Sequence, residues 1–148
     1  MKTDNPDTPA ELKARALRHL VRREHSRAEL ARKLAPHAES PEAIEALLDS
    51  LLSKKQQSDE RFAEERARVL SRKFGAVRIQ HDLKSKGISD DISSRVATSA
   101  DEIERAKSIV QRRYREPATT REEHAKRARF LQGRGFSYDV IRSVLKVD

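Results

Sequence analysis

The chain has 148 residues, 38% of them charged and 36% hydrophobic, with a formal charge of +8 and no cysteine. The charged share is well above the roughly 25% of an ordinary domain, so there is much surface and little thick core. The missing cysteine excludes a disulfide framework and a thiolate zinc site. No apolar run approaches the ~18 residues of a membrane span, and the opening Met1-Lys-Thr-Asp-Asn-Pro-Asp-Thr-Pro9 lacks the apolar stretch of a signal peptide. A cytoplasmic protein with a disordered leader over residues 1–9 is expected.

Residues 10–57 read as a three-helix unit. Leu12, Ala16, Leu17, Leu20 and Val21 keep the rhythm of an amphipathic helix, begun by Pro9 and Glu11. Ser26, with Glu29 three residues on, reads as a capping box that opens a short helix burying Leu30 and Leu34 and stopping at Pro36. Ser40-Pro41 opens a third helix with the stripe Ile44, Leu47, Leu48, Leu51 and Leu52.

Residues 58–98 repeat the plan. Ser58 or Asp59 caps a helix with Phe62, Val69 and Leu70 inward, expected to end near Phe74-Gly75. A second helix carries Ile79 and Leu83 and ends at Gly87; Ser89 caps the next, with Ile92 and Val96 inward. The third unit, residues 99–148, starts near Ser99 and puts Ile103, Ala106 and Val110 on one face. A loop from Arg115 to Thr120 leads to a longer helix with Ala128 and Leu131 inward. Ser137 caps a last helix with Val140, Ile141, Val144 and Leu145. The expectation is an all-α chain of tandem three-helix repeats.

A phrase that occurs twice supports this division. Leu83-Lys-Ser-Lys86-Gly87-Ile88-Ser89-Asp-Asp91-Ile92 returns 48 residues later as Leu131-Gln-Gly-Arg134-Gly135-Phe136-Ser137-Tyr-Asp139-Val140. Leu34, Ser40, Glu42 and Ala43 form a fainter upstream copy. A repeat of this period marks one supersecondary unit stacked on itself. Gly87 and Gly135 fit the left-handed residue that closes a helix without a Cβ clash, followed by an apolar clamp and a serine cap.

The positive charge is spread out: residues 1–57 hold 11 bases against 9 acids, residues 58–98 hold 9 against 7, and residues 99–148 hold 12 against 8. A distributed excess of this kind suits a polyanion such as nucleic acid. Arg15, Arg18 and Arg22 are spaced to share one helix face. Arg61, Arg68 and Arg72 do the same in the second unit, where Arg78, Lys84 and Lys86 add charge, and Arg105 and Arg112 follow in the third. These are the candidate binding residues, since phosphate contact needs little more than cations at suitable spacing. The competing reading is a solvated outer face, with Glu64, Glu65 and Glu104 as partners.

Catalysis finds no support. None of the four glycines sits in a phosphate-cradling loop, and no two histidines stand four apart beside a carboxylate, so no metal and no cofactor are expected. The triplets also suggest helix-turn-helix DNA readers, and a DNA-binding module or repressor is the alternative function. Their third helices, however, begin Pro41-Glu42, Asp90-Asp91 and Tyr138-Asp139, which places acids where a recognition helix meets phosphates and bases. With one asparagine, Asn5, and six aromatics, base readout and base stacking are poorly provided for.

Ala16-Leu-Arg-His-Leu-Val-Arg-Arg-Glu-His-Ser-Arg-Ala-Glu-Leu30 resembles the opening signature of the RecX regulatory proteins. Asp59-Glu-Arg-Phe-Ala-Glu64 resembles their central motif, continued by Phe74-Gly75, Arg78-Ile79, Leu83 and Lys86-Gly87-Ile88. Arg129-Phe130-Leu131, Arg134-Gly135-Phe136 and Val140-Ile141 resemble the C-terminal one. Ser58 stands where that family usually has an acid, and Gly75-Ala76 where it often has Gly-Pro; both keep cap and helix-start chemistry. The resemblance implies an elongated, curved, right-handed array of three repeats in a bacterial cytoplasmic protein, a monomer without a membrane anchor. It further implies a non-enzymatic regulator of recombination and DNA repair that binds RecA and the RecA–DNA filament and restrains ATP hydrolysis, strand exchange and co-protease activity, with weak non-specific DNA binding at most.

Overall fold

The computed structural model describes residues 5–98 and 101–146. Among these there are nine α-helices and no strand. They are α1 (Pro9–Arg22), α2 (Arg27–Leu34), α3 (Pro41–Ser53), α4 (Asp59–Leu70), α5 (Ala76–Ser85), α6 (Asp90–Ala97), α7 (Glu102–Arg113), α8 (Arg121–Gly133) and α9 (Tyr138–Leu145), in three successive triplets. A 3-10 turn, Ala35–His37, follows α2 around Pro36. The start of the third unit near Ser99 lies outside the described residues. The chain forms two compact units: residues up to Glu65 with Lys86–Ile88, and Arg66–Ser85 with the residues from Ser89 on.

The helices begin where the sequence supplies oxygen atoms for the free N–H groups of a first turn. Ser26, Ser40, Ser89 and Ser137 each accept from the backbone N–H three residues on, at 3.1–3.3 Å. Ser58 Oγ accepts from Arg61 N and so caps α4, while Asp59 Oδ1 is spent on Arg27 N, 2.7 Å away. The capping box expected at Ser26 is only half made, because the Glu29 carboxylate is taken by Arg23 at 2.6 and 3.0 Å. A complete box occurs instead at Thr8 and Glu11. The end of the expected disordered leader is held as well: Asp7 N–H donates to His37 O at 2.8 Å, and its carboxylate accepts two bonds from Arg15.

In the first unit Leu12 and Ala16 of α1, Leu30 and Leu34 of α2, and Ile44, Leu48 and Leu51 of α3 make one core. Val21 and Leu52, expected to join it, are 87% and 51% exposed. In the second unit α7, α8 and α9 close around Ala106, Ile109, Val110, Leu131, Phe136 and Ile141. Ile103 and Val69, which the helical period places inward, lie exposed. α4 ends at Leu70, earlier than its expected end near Phe74, and residues 71–73 turn the chain toward α5.

The two glycine phrases make the same joint twice. Gly87 and Gly135 have φ of +85° and +91°. Within the first unit, the Lys86-Gly87 turn lies on the start of α2: Ser26 Oγ donates to Lys86 O at 2.8 Å, and a Cβ on Gly87 would come within 2.5 Å of Ala28 Cβ. Within the second unit, the Arg134-Gly135 turn lies on the start of α5. Gly75 N donates to Arg134 O and Val77 N to Gly135 O, at 2.8 and 3.0 Å. The acid that opens the first helix of the next triplet completes each joint: Asp59 of α4 takes Arg27 N, and Glu102 of α7 takes Ala76 N. Gly75, with no positive φ, is confined differently; a Cβ there would lie 2.6 Å from both Gly135 O and Phe136.

His25 is a buried polar member of the first unit, 1% exposed. Its Nδ1 lies 3.0 Å from Arg23 O and its Nε2 2.9 Å from Lys33 Nζ. A carbonyl can only accept and an ammonium can only donate, so the ring is neutral with its proton on Nδ1. His19 lies alongside, with ring centroids 5.6 Å apart. Burial holds both imidazoles below their ordinary range; at His25 the charges of Arg23 and Lys33 add to it against the Arg23 carbonyl and Glu29, and at His19 Lys33, His25, Arg22 and Arg15 add to it.

Two measurements follow from this architecture. Gly135→Ala and Gly87→Ala should each lower stability in urea unfolding by about 1 kcal/mol or more from the left-handed backbone alone. The loss should be larger at Gly135, where the added methyl meets Arg78 backbone rather than one side-chain carbon. For the histidines, folded values below the unfolded one mean that stability is complete above roughly pH 6.5 and is lost as pH falls through the folded values. Thermal midpoints should therefore drop on acidification, and drop less in His25→Gln.

Candidate functional site

The basic residues of the first unit divide by their partners. Arg15 forms a two-bond ion pair with Asp7 at 2.8 and 3.3 Å; the pairing lowers the Asp7 carboxyl and raises the guanidinium. Arg18 and Arg22 stand exposed on α1. Arg61 reaches Glu24 at 3.0 Å. Lys86 is half-buried, and its carbonyl serves the joint with Ser26.

In the second unit Arg68 is exposed on the last turn of α4. Arg72 is exposed too, but it lies in the turn after α4, so it does not continue a helical stripe. Lys84 pairs with Asp90 at 3.2 Å. Arg105, expected on the outer face, is instead inside: its side chain is only 17% exposed. It donates to Ser71 O and Phe74 O at 3.1 and 2.7 Å, and to Glu102 at 3.2 Å. Those carbonyls follow the end of α4 and have no helical partner, and a guanidinium fork can satisfy two at once. Arg105 is therefore a structural clamp, and the third-unit stripe is reduced to Arg112, which itself donates to Arg72 O at 3.0 Å.

The strongest gathering of cations was not singled out from the sequence. Arg72, Lys73, Arg112, Arg113 and Arg134 surround a recess of about 250 Å3 whose apolar wall is Ile109 and Phe130. No acid lines it. The clue lay in three dipeptides, Lys73-Phe74, Arg113-Tyr114 and Arg129-Phe130, which put bases beside aromatics that are only half-buried. Guanidinium groups lie over these rings. Arg78 is 4.1 Å from the Phe74 centroid, Arg134 is 5.0 Å from that of Phe130, and Arg127 is 4.8 Å from that of Tyr114. The distances are those of cation–π attraction. Such a surface can attract and hold an anion; it offers no nucleophile beside a base. Among the described residues no group of three or more histidines and acids could hold a metal ion, and no helix is long and apolar enough to cross a membrane.

Three family models match the chain in order: the first three-helix domain of RecX over residues 13–51, the second over 58–96 and the third over 100–145. Regulatory protein RecX of Ralstonia nicotianae is 44% identical over 143 residues, which cover 95% of this chain and 90% of that protein. Regulatory protein RecX of Leptothrix cholodnii is 45% identical over 138 residues, covering 92% and 88%. That of Neisseria meningitidis is 40% identical over 136 residues, covering 91% and 89%. The crystal structure of RecX from Lactobacillus salivarius, 23% identical, shares the fold with a TM-score of 0.84 over 93% of this chain and 94% of that one.

The division of arginines can be measured. Arg105→Gln should cost roughly 2–3 kcal/mol, because it leaves buried carbonyls without a charged donor. Arg18→Gln, on the exposed face of α1, should stay within about 0.5 kcal/mol of the parent. Urea midpoints of the two variants, compared at one pH, test the assignment.

Proposed function

Because the chain belongs to the RecX family of regulatory proteins, we propose that it binds the RecA recombinase, above all as the RecA filament on DNA, and restrains RecA's ATP hydrolysis, strand exchange and co-protease activity. It acts as a regulator and not as an enzyme. The carrying observation is that three family-specific domains match in their proper order over most of the chain. Its place of action is the bacterial cytoplasm, where such a filament forms. The three-helix repeats take residues 10–57, 58–98 and 99–148.

The contact residues come from the exposed cations: Arg18 and Arg22 on α1, Arg68 on the last turn of α4, Arg72 in the turn that follows it, and Arg112 on α7. A filament on DNA offers phosphates and acidic protein side chains together, and this scattered display suits such a mixed surface. The repressor alternative is disfavoured by the acids in the first turns of α3, α6 and α9: Glu42, Asp90 with Asp91, and Asp139. These helix starts would repel the bases and phosphates they must approach.

The decisive assay is RecA ATPase on single-stranded DNA with increasing amounts of this protein. The expected result is a dose-dependent fall, with tighter binding to the filament than to free RecA or naked duplex at the same salt. Unchanged ATPase together with a preference for one duplex sequence would transfer the assignment to the repressor reading. The double reversal Arg68→Glu with Arg72→Glu should weaken filament binding and flatten its salt dependence by about one unit of slope per lost phosphate contact.

A further inference from the structure

The arginines and rings beside the recess form a continuous alternation. From Arg78 over Phe74 it passes to Arg134, which lies 5.7 Å from Phe74 and 5.0 Å from Phe130. Arg113 is 5.9 Å from both Phe130 and Tyr114, and Arg127 closes the run against Tyr114. Phe130 and Tyr114 meet edge to face, 5.8 Å apart at 89°. Four cations from α5, α7, α8 and the turn after α8 are thereby strung together on three rings.

Backbone carbonyls anchor three of these side chains. Arg78 donates to Gly133 O at 3.2 Å, Arg134 to Lys73 O at 3.4 Å and Arg127 to Glu116 O at 2.6 Å. Among the described residues none of the four arginines pairs with a carboxylate, whereas Arg15, Arg23, Arg27 and Arg61 all do. An arginine fork has five N–H donors, so one carbonyl bond leaves most of them uncommitted. A guanidinium fixed by a ring and a carbonyl loses little freedom when an anion arrives.

We infer that Phe74, Phe130 and Tyr114 are positioning residues for a rail of four guanidinium groups that grips a nucleic-acid strand by its phosphates and leaves the bases outside. The inference rests on the proposed action at a RecA–DNA filament and names the chemistry of one contact there. Rings that stack on bases need an open face; here guanidinium groups lie over them. A strand carries a charge at every nucleotide and can meet four separate forks in any register. An acidic peptide would need carboxylates spaced to match them.

The test measures binding of dT and dA oligonucleotides of equal length at several salt concentrations, with thermal unfolding of every variant as the folding control. Arg113→Gln with Arg134→Gln should weaken binding by on the order of tenfold and lower the salt slope by roughly one per arginine. Arg134→Lys should recover the slope but not the affinity, since an ammonium neither stacks nor forks. Phe130→Leu should lose affinity severalfold with dT and dA still bound equally, Phe130→Tyr should restore it, and Phe130→Leu should add nothing in the background that lacks both arginines. A loss that persists in that background, or a dA-over-dT preference that vanishes with Phe130, would overturn the positioning role. Tighter binding of poly-glutamate than of the oligonucleotides would overturn the phosphate assignment. Each variant is also run in the RecA ATPase assay. A parent protein that restrains RecA while the arginine variants bind strands like the parent refutes the rail and spares the family reading; a parent without effect on RecA refutes that reading itself.

Discussion

Successive triplets depend on one contact: a glycine turn pressed onto the first turn of the preceding triplet's second helix. A helix start carries N–H groups with no partner inside the helix. At α5 those of Gly75, Ala76 and Val77 are taken by Arg134 O, the Glu102 carboxylate and Gly135 O. At α2 the serine cap gives its own proton to Lys86 O while Asp59 takes Arg27 N. The turn can come this close only where no Cβ intervenes, and the left-handed glycines that follow Lys86 and Arg134 meet that condition. A neutral hydrogen bond contributes about 1 kcal/mol net, and one to a charged group about 1.5–3 kcal/mol. Polar matching of this kind supplements the modest apolar cores that a chain so rich in charge can build.

What could be read directly was local. Serine caps, glycine turns and helix periods are set by residues within a few positions of one another, and the 48-residue phrase marked the repeat because its joint recurs. What could not be read depends on neighbours distant in sequence. Arg105 looks like any surface arginine until the end of α4 places two open carbonyls beside it. Val21, Val69 and Ile103 keep helical spacing but sit at the edge of their stripes, beyond the reach of the adjoining helices. Gly75 has an ordinary φ, and its need for a bare Cα comes from Phe136, sixty-one positions away. The arginine–aromatic run was hidden for the same reason, since its members come from three helices and three connecting segments.

Arginine serves two opposite purposes in this chain. At Arg105 it replaces absent backbone donors and contributes to stability; beside the recess it is held apart from carboxylates and kept available. Composition alone sums both into the same +8. Charge therefore pointed to a polyanion without separating the residues that would meet it from those that hold the molecule together. The family motifs carry the proposal of a partner, which spacing and charge could not have named.

The joint at α5 also gives the molecule a built-in clock. First-turn amides of a helix normally exchange their hydrogens with water quickly, because nothing in the helix protects them. The amides of Gly75, Ala76 and Val77 are bonded to the Arg134-Gly135 turn and to Glu102, so their exchange requires those contacts to open, whatever the fraying of α5 itself. Their protection factors read the opening free energy of this joint separately from the unfolding of either neighbouring helix.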